Sequence, residues 1–476
     1  MSTIVAAALS ALLWLGGYGL QPLPILTWLA PLPLLVLAAF AHRKALFATL
    51  LAWPLGQLAM ATYYHRTLQI PLPVVIAFVL YGTALATGTI GLAGALLRRG
   101  RTATAILATP ALWVLGEYTV SLLMPNGAWW SLAYTQADVR PIIQLTALTG
   151  VWGVTYLLLA TPIALAALLT AGKRATRTKP ALACLLALTV TTAGWATWSL
   201  TRPSAATGKL RVGLVALEQT EDGLPLDQPS GQELLARYLP RVQSLAGQGA
   251  TIVVLPEKVF TASPQALAAA FRPVTNRGVQ VIVGAVQHDG GTARNVAVVL
   301  GPAVRTYAKQ HLIKGLEDDW LTPGDDDLIV DGRYGIAICK DLDFPDLTRR
   351  YRAHGATMLL VPALDFTGDG WLHSRMAVVR GVETGTTVVR AAAFGRLTVS
   401  GPTGRLLGEA TAGDAQLLVT VAPSAPGTFY GRTGNWFLIF SLVLVLMAGR
   451  RATRRRPGAR GPRSATGRLP STARPR

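Results

Sequence analysis

Three short stretches carry reactive side chains where apolar runs stop. "IVVLPEKVF" reaches Glu257, "RTYAKQHLIKGLE" carries Lys309 with Glu317 eight residues on, and "GIAICKDLDFP" reaches Cys339. A carboxylate, an ammonium and a thiol are the parts of acyl transfer through a thioester. The thiolate attacks, a base takes its proton and a cation holds the oxyanion. Taken singly, each has an ordinary explanation. A Glu after Pro is a solvated turn residue, a Lys in "YAKQHL" lies on the surface, and a Cys in an apolar run is a small hydrophobe. Cys184, the only other cysteine, takes that ordinary reading, and neither cysteine suggests a disulfide. Their joint placement at three strand ends points to one site, because open α/β sheets gather reactive groups beyond the carboxyl ends of their strands.

The elements that must position these groups lie between residues 209 and 422. Short β-branched runs recur there: "LRVGLVAL", "ATIVVLP", "VQVIVGAV", "NVAVVLG", "YGIAIC", "ATMLLVP", "TTVVRAAA" and "QLLVTVA". Helix-period segments fall between some of them, such as "SGQELLARYLPRVQSLAGQG" and "SRMAVVRGVETG". Strands alternating with helices predict an α/β domain, and continuously apolar strands predict sheets covered on both faces.

The rest of the 476-residue chain is of another kind. Half of all residues are apolar (51%) and few are charged (14%), which points to a membrane protein. Apolar runs of about spanning length fall near 3–20, 24–41, 45–64, 70–97, 103–124, 151–172 and 180–200, with a shorter one at 436–449. The first lacks a basic leader and is expected to remain as a span. Lys and Arg concentrate in alternate loops: Arg43 and Lys44, then Arg98, Arg99 and Arg101, then Lys173, Arg174, Arg177 and Lys179. By the positive-inside rule, both termini are cytoplasmic and residues 201–435 lie on the extracytoplasmic side. The last 27 residues hold ten Arg and no acid. They are expected to form a disordered cytoplasmic tail near anionic lipid, so the net charge of +20 is topological rather than a sign of nucleic-acid binding.

The order "PE", "Y-x-K-x-H-L", "G-x-x-I-C-x-D" resembles the carbon–nitrogen hydrolase (nitrilase) superfamily with its Glu-Lys-Cys triad. "ALWVLGEYTVSLLMPNGAWWSLAYTQ" (111–136), "GVWGVTYLLLATPIALAALL" (150–169), "WLHSRMAVVRGVETGTTVVRAAAFGRLTVSGPTGRLL" (371–407) and "YGRTGNW" (430–436) resemble the membrane-embedded family of that superfamily, the apolipoprotein N-acyltransferases. The resemblance implies a nitrilase-like α-β-β-α sandwich inserted before the last helix of an eight-helix transmembrane bundle. Spans would occupy 1–200 and 436–449, the sandwich 201–435 and the basic tail 450–476. It implies Glu257 as general base, Lys309 as oxyanion stabiliser, Cys339 as nucleophile and Glu317 as support. Lys340, Asp341, Trp371, His373, Trp129 and Tyr134 are candidate substrate-binding residues.

The implied reaction moves an acyl chain from a phospholipid to the α-amine of a diacylglyceryl-apolipoprotein, at the outer face of a bacterial inner membrane. The implied enzyme is a monomer and uses no metal or cofactor. Four departures touch the pocket: Lys340 stands where an aromatic is usual, Asp341 where Glu is common, "ALDFT" (363–367) lacks a Trp, and Lys314-Gly315-Leu316 replaces Pro-Phe-Gly. Lys340 either favours the thiolate or extends to solvent. Trp129, Trp130, Tyr134 and Trp152 are lining or interfacial-belt residues, and Glu117, within an apolar span, is functional or a helix-to-helix hydrogen bonder. A membrane-tethered amidase using the same triad and a non-catalytic lipoprotein-binding scaffold are the alternatives.

Overall fold

The computed structural model describes residues 2–172, 175–202, 208–411, 413–423 and 427–453. Lys173 and Arg174 of the third basic loop, the linker around 203–207 and the tail beyond 453 lie outside the described residues.

Two sheets face each other. The first runs Ala415–Val421, Leu210–Ala216, Ile252–Val254, Gln280–Asp289, Phe260–Thr261 and Leu224–Pro225. Thr292–Leu300 and Arg305–Ala308 add an antiparallel flap on Gln280–Asp289. The second runs Leu406–Thr411, Arg396–Ser400, Thr387–Ala393, Met358–Leu364, Tyr334–Ile336 and Leu328–Val330. Between the sheets lies a core of Val, Ile, Leu and Ala that includes Cys339. Helices Pro229–Gly247 and Pro264–Thr275 cover the outer face of the first sheet through Leu234, Tyr238 and Phe271. Pro345–Ala353 and Gly370–Thr384 cover the second through Leu347, Tyr351 and Ala377. Central strands are therefore buried on both sides, which is why they read as unbroken apolar runs. The layers are α-β-β-α, and every strand expected from the apolar runs is present.

The apolar runs outside the sandwich form helices. By length and composition, Leu72–Arg98, Thr102–Leu123, Val151–Leu169 and Thr178–Thr201 can cross a membrane. His42–Gly56 with Leu58–Arg66, bent by 43°, makes a fifth if the pair is one span. Thr3–Gly17, Pro24–Phe40 and Trp436–Arg450 are apolar but shorter, so length alone does not supply the eight spans expected. Pro31 stands between the Pro24–Leu29 and Leu32–Phe40 segments and Pro33 in the first turn of the second, and proline lacks the amide that would continue the ladder. Inside the helical part, small residues such as Ala38, Ala45, Ala48 and Ala52 let helices approach, and the Trp14, Trp53 and Trp113 rings meet edge to face at 5.0 and 5.1 Å. On its outside, Leu12, Leu50, Leu80, Leu122, Leu186 and Ile439 stand exposed. Such a broad unpartnered apolar face suits lipid rather than water.

Candidate active site

Glu257 lies three residues beyond the Ile252–Val254 strand, in a turn pinned from two sides. Its amide donates to Ala363 O of the second sheet at 3.2 Å, and Gly284 N donates to Pro256 O at 3.1 Å from the next strand. A Cβ on Gly284 would fall 2.2 Å from Pro256 O and 2.5 Å from Glu257 Cα, so only glycine lets the turn rest on the strand here. The turn continues through Lys258, which takes a positive φ of 50°.

Lys309 follows directly on Arg305–Ala308, and its backbone N donates to Asn295 O at 2.9 Å, extending the flap ladder. Its Nζ donates to Glu257 Oε1 at 2.8 Å and to Glu317 Oε2 at 2.7 Å. Asn295 Nδ2 donates to Glu257 Oε1 at 2.6 Å and Glu317 Oε1 at 3.2 Å, bridging the two acids. Lys258 Nζ stands 3.6 Å from Glu317 Oε1. Two cations and two carboxylates thus balance in a buried cluster, as burial demands. Burial works against the Lys309 ammonium, but the charges of Glu257 and Glu317 outweigh it and hold the pKa well above the ordinary lysine value. Burial likewise raises Glu317, but Lys309 and Lys258 outweigh it, so its pKa is lowered. Glu257 Oε2 is buried without a partner among the described residues.

Cys339 opens a short 3-10 turn, Cys339–Asp343, three residues past the Tyr334–Ile336 strand. It takes φ +43°, unusual for a side chain with a Cβ, which lifts the thiol off the strand line. Asp341 braces this turn. It accepts from Ile338 N at 3.0 Å, Tyr307 Oη at 2.7 Å and His311 N at 3.0 Å, so the Cys339 turn is tied to the chain that carries Lys309. The thiol donates to Leu364 O at 3.4 Å. Burial, then the charge of Glu257, raise its pKa well above the usual thiol value, while Lys309 and Arg390 oppose them. Burial thus favours the protonated thiol, and the unpartnered carboxylate oxygen of Glu257 is chemically suited to act as a base.

Cys339 opens into a cavity of about 600 Å³. Its other wall comes from the apolar helices: Val74 and Phe78 of Leu72–Arg98, Val120 of Thr102–Leu123, and Trp129 and Trp130 of the loop that follows. That loop closes directly on the Cys339 turn. Gly127, at φ +50°, brings Ala128 N within 2.8 Å of Asp343 O, and Asn126 Oδ1 accepts from Lys340 Nζ at 2.6 Å.

Several expected residues lie elsewhere or act otherwise. Lys340 does not extend to solvent: it is 6% exposed and lines the cavity. Asp341 is fully buried and braces the turn rather than facing the cavity. Tyr134 is buried outside the cavity, accepting from Arg380 Nη2 at 2.6 Å. Trp371 also lies outside the cavity lining, with the Arg375 guanidinium 5.6 Å from its ring centroid. Trp152 donates to Asn435 Oδ1 at 3.1 Å, and Glu117 accepts from Leu132 N at 2.6 Å, so each ties its helix to another segment. His373 and Trp129 do line the cavity, their rings 4.7 Å apart.

Sequence reasoning missed Asn295, Asn126 and the buried Asp365–Arg390 pair, in which Arg390 Nη1 donates to Asp365 Oδ2 at 2.8 Å. Asn295 and Arg390 had one visible signal, a polar residue inside the apolar strands "NVAVVLG" and "TTVVRAAA". Donor atoms of Asp365, Asp369 and His373 lie within 4.8 Å of one another, but Arg390 and the Tyr63 hydroxyl already engage the two carboxylates.

Residues 9–164 match the Apolipoprotein N-acyltransferase N-terminal domain and residues 211–424 the Carbon-nitrogen hydrolase domain. An apolipoprotein N-acyltransferase of Gloeobacter violaceus is 28% identical over 92% of this chain and 92% of its own length. One of Haemophilus ducreyi is 24% identical over 94% of this chain and 96% of its own. Among solved structures, an amidase from Nesterenkonia sp. AN1 is 22% identical, with a TM-score of 0.40, over 49% of this chain and 97% of that one. The helical match and the sandwich match occur in one chain, and the Gloeobacter violaceus relative aligns across both. The chain belongs to the apolipoprotein N-acyltransferase family, the membrane-embedded branch of the carbon–nitrogen hydrolases.

Proposed function

We propose that this protein transfers an acyl chain from a membrane phospholipid to the α-amine of a lipoprotein's S-diacylglyceryl cysteine, through a thioester on Cys339. The observation that carries this reading is the cavity itself. One side is the nucleophile turn and the other is a wall of apolar helices, so a lipid acyl group can reach the thiol without leaving apolar surroundings. Each methylene exposed to water costs about 0.8 kcal/mol, so a lipid substrate requires such an approach. A small amide would leave most of the roughly 600 Å³ unfilled, which disfavours a simple amidase.

In the first half-reaction, Glu257 takes the Cys339 proton and the sulfur attacks the ester carbonyl of the phospholipid. Lys309, held in its charged form by two carboxylates, stabilises the tetrahedral oxyanion. The C–O bond breaks, the glycerol oxygen takes the proton from Glu257, and lysophospholipid departs. In the second, the lipoprotein amine attacks the thioester and Glu257 accepts its proton. The C–S bond breaks, the sulfur recovers that proton and the amide is released. Glu317 and Asn295 act by positioning Lys309 and Glu257.

The apolar helices and the family make this a bacterial membrane protein. We further infer eight spans, with the sandwich on the extracytoplasmic side and the termini inside. The alternation of basic loops supports this: Arg43, Lys44, Arg98, Arg99 and Arg101 fall on one side, and only Arg66 and Arg140 on the other. Incubation of the purified full chain with phospholipid labelled in its acyl chain tests the function. The expected result is a hydroxylamine-sensitive acyl adduct that is lost in Cys339→Ala. Absence of an adduct with the unsubstituted protein refutes the proposal.

A further inference from the structure

The cavity at Cys339 is unevenly charged. Among its described lining residues, Lys314, Lys340 and His373 supply basic groups and Asp343 the one carboxylate. Lys340 is 6% exposed, yet its nearest carboxylate oxygen, Asp343 Oδ2, is 4.0 Å away. Its Nζ makes one hydrogen bond among the described residues, to Asn126 Oδ1. An ammonium has three N–H groups, so two are unspent where water is scarce.

His373 has a carboxylate behind it. Its Nε2 lies 3.4 Å from Asp369 Oδ2, and Asp369 also receives the Tyr63 hydroxyl. Burial opposes the imidazolium, but Asp369, with Asp365 and Asp343 further off, outweighs it and raises the pKa. Lys314 is exposed at the cavity's edge, with no partner among the described residues. A buried cation without a close counter-ion is costly, and the cost is offset when an anionic ligand takes up its free donors.

We propose that Lys340, Lys314 and His373 form an anion subsite that takes the phosphodiester of the donor lipid, so that donors with a net negative headgroup are preferred over those carrying a headgroup ammonium. This rests on the acyl-transfer reading above. The phosphodiester of a phospholipid lies only a few bonds from the ester carbonyl that the sulfur attacks, and Lys340 follows Cys339 in the chain. The cations that hold the phosphate repel a headgroup ammonium beside it, whereas a glycerol headgroup meets no such repulsion.

The test is single-turnover thioester formation on Cys339 in the purified full chain. The donors are phosphatidylglycerol and phosphatidylethanolamine of identical acyl chains, supplied in matched micelles. The expected result is acylation about tenfold faster from phosphatidylglycerol, with the preference shrinking as salt is raised. Lys340→Met brings the ratio close to one, Lys340→Arg retains most of it, and Lys314→Ala, at an exposed position, lowers it part way. Equal rates from the two lipids in the unsubstituted protein overturn the subsite. So does a ratio unchanged in both Lys340→Met and Lys314→Ala. Failure to form a thioester with either lipid is a separate outcome, which overturns the acyl-transfer reading and the subsite with it.

Discussion

Replacing Gly284 by Ala adds one methyl group and touches no reactive atom, yet it is expected to disable the site. The new Cβ falls 2.2 Å from Pro256 O and 2.5 Å from Glu257 Cα, where real Cβ contacts are essentially never under 3.0 Å. Both neighbours are backbone, so neither can swing away. The Glu257 turn must therefore lift from the strand by about 0.8 Å, which is the scale at which misplacing a catalytic group costs ~100-fold in rate. A hundredfold loss corresponds to about 2.7 kcal/mol of barrier. The overpacking also lowers stability by roughly 1–3 kcal/mol. The assay is the single-turnover rate of Cys339 acylation, measured beside the melting temperature of the same preparation in detergent. Gly247→Ala is the control, because nothing lies within 4 Å of its added Cβ in the same domain. The expected pattern is a folded Gly284→Ala protein that acylates about a hundred times more slowly, with Gly247→Ala close to the parent. A Gly284→Ala protein that folds and acylates at the parent rate would falsify the idea that this close approach sets the position of Glu257.

Two more outcomes follow from the charges around the site. The raised pKa of Cys339 means that the thiolate fraction, and so the rate of iodoacetamide labelling, stays low through neutral pH and climbs only beyond the range of an ordinary thiol; labelling already fast and flat between pH 6 and 8 would mean a preformed thiolate and no need for Glu257 as base. Asp365→Asn leaves the buried Arg390 guanidinium without its carboxylate and is expected to destabilise the sandwich by about 3–5 kcal/mol, seen as a lower melting temperature in detergent; an unchanged melting temperature counts against that pair as a structural brace.

Much of the sandwich was legible in the chain because a strand buried on both faces has to be apolar along its length. "ATMLLVP" and "TTVVRAAA" became Met358–Leu364 and Thr387–Ala393, paired in parallel at the centre of one sheet. Three shorter or less buried strands carried no such mark. Leu224–Pro225 and Phe260–Thr261 are two residues each, and Leu406–Thr411 is only partly buried, so their patterns blend into loops. Asn295 lay in plain view inside an apolar strand, but its use depends on two acids, 38 residues before it and 22 after.

Taken alone, the sequence determined the chemical inventory: a thiol, an ammonium and a carboxylate, each set just beyond a strand, a second carboxylate further on, and a second region too apolar for water. Those properties are local, because residue type and hydropathy are written one position at a time. Only the tertiary structure decided which groups share a buried cluster, that Lys340 turns inward to Asn126 instead of outward to solvent, and that Asp341 and Tyr134 serve packing while His373 faces the cavity. Those outcomes depend on contacts between segments hundreds of residues apart, such as Asn126 with Lys340 and Tyr63 with Asp369. Burial and pairing of charge depend on distance in space, and distance along the chain does not carry it.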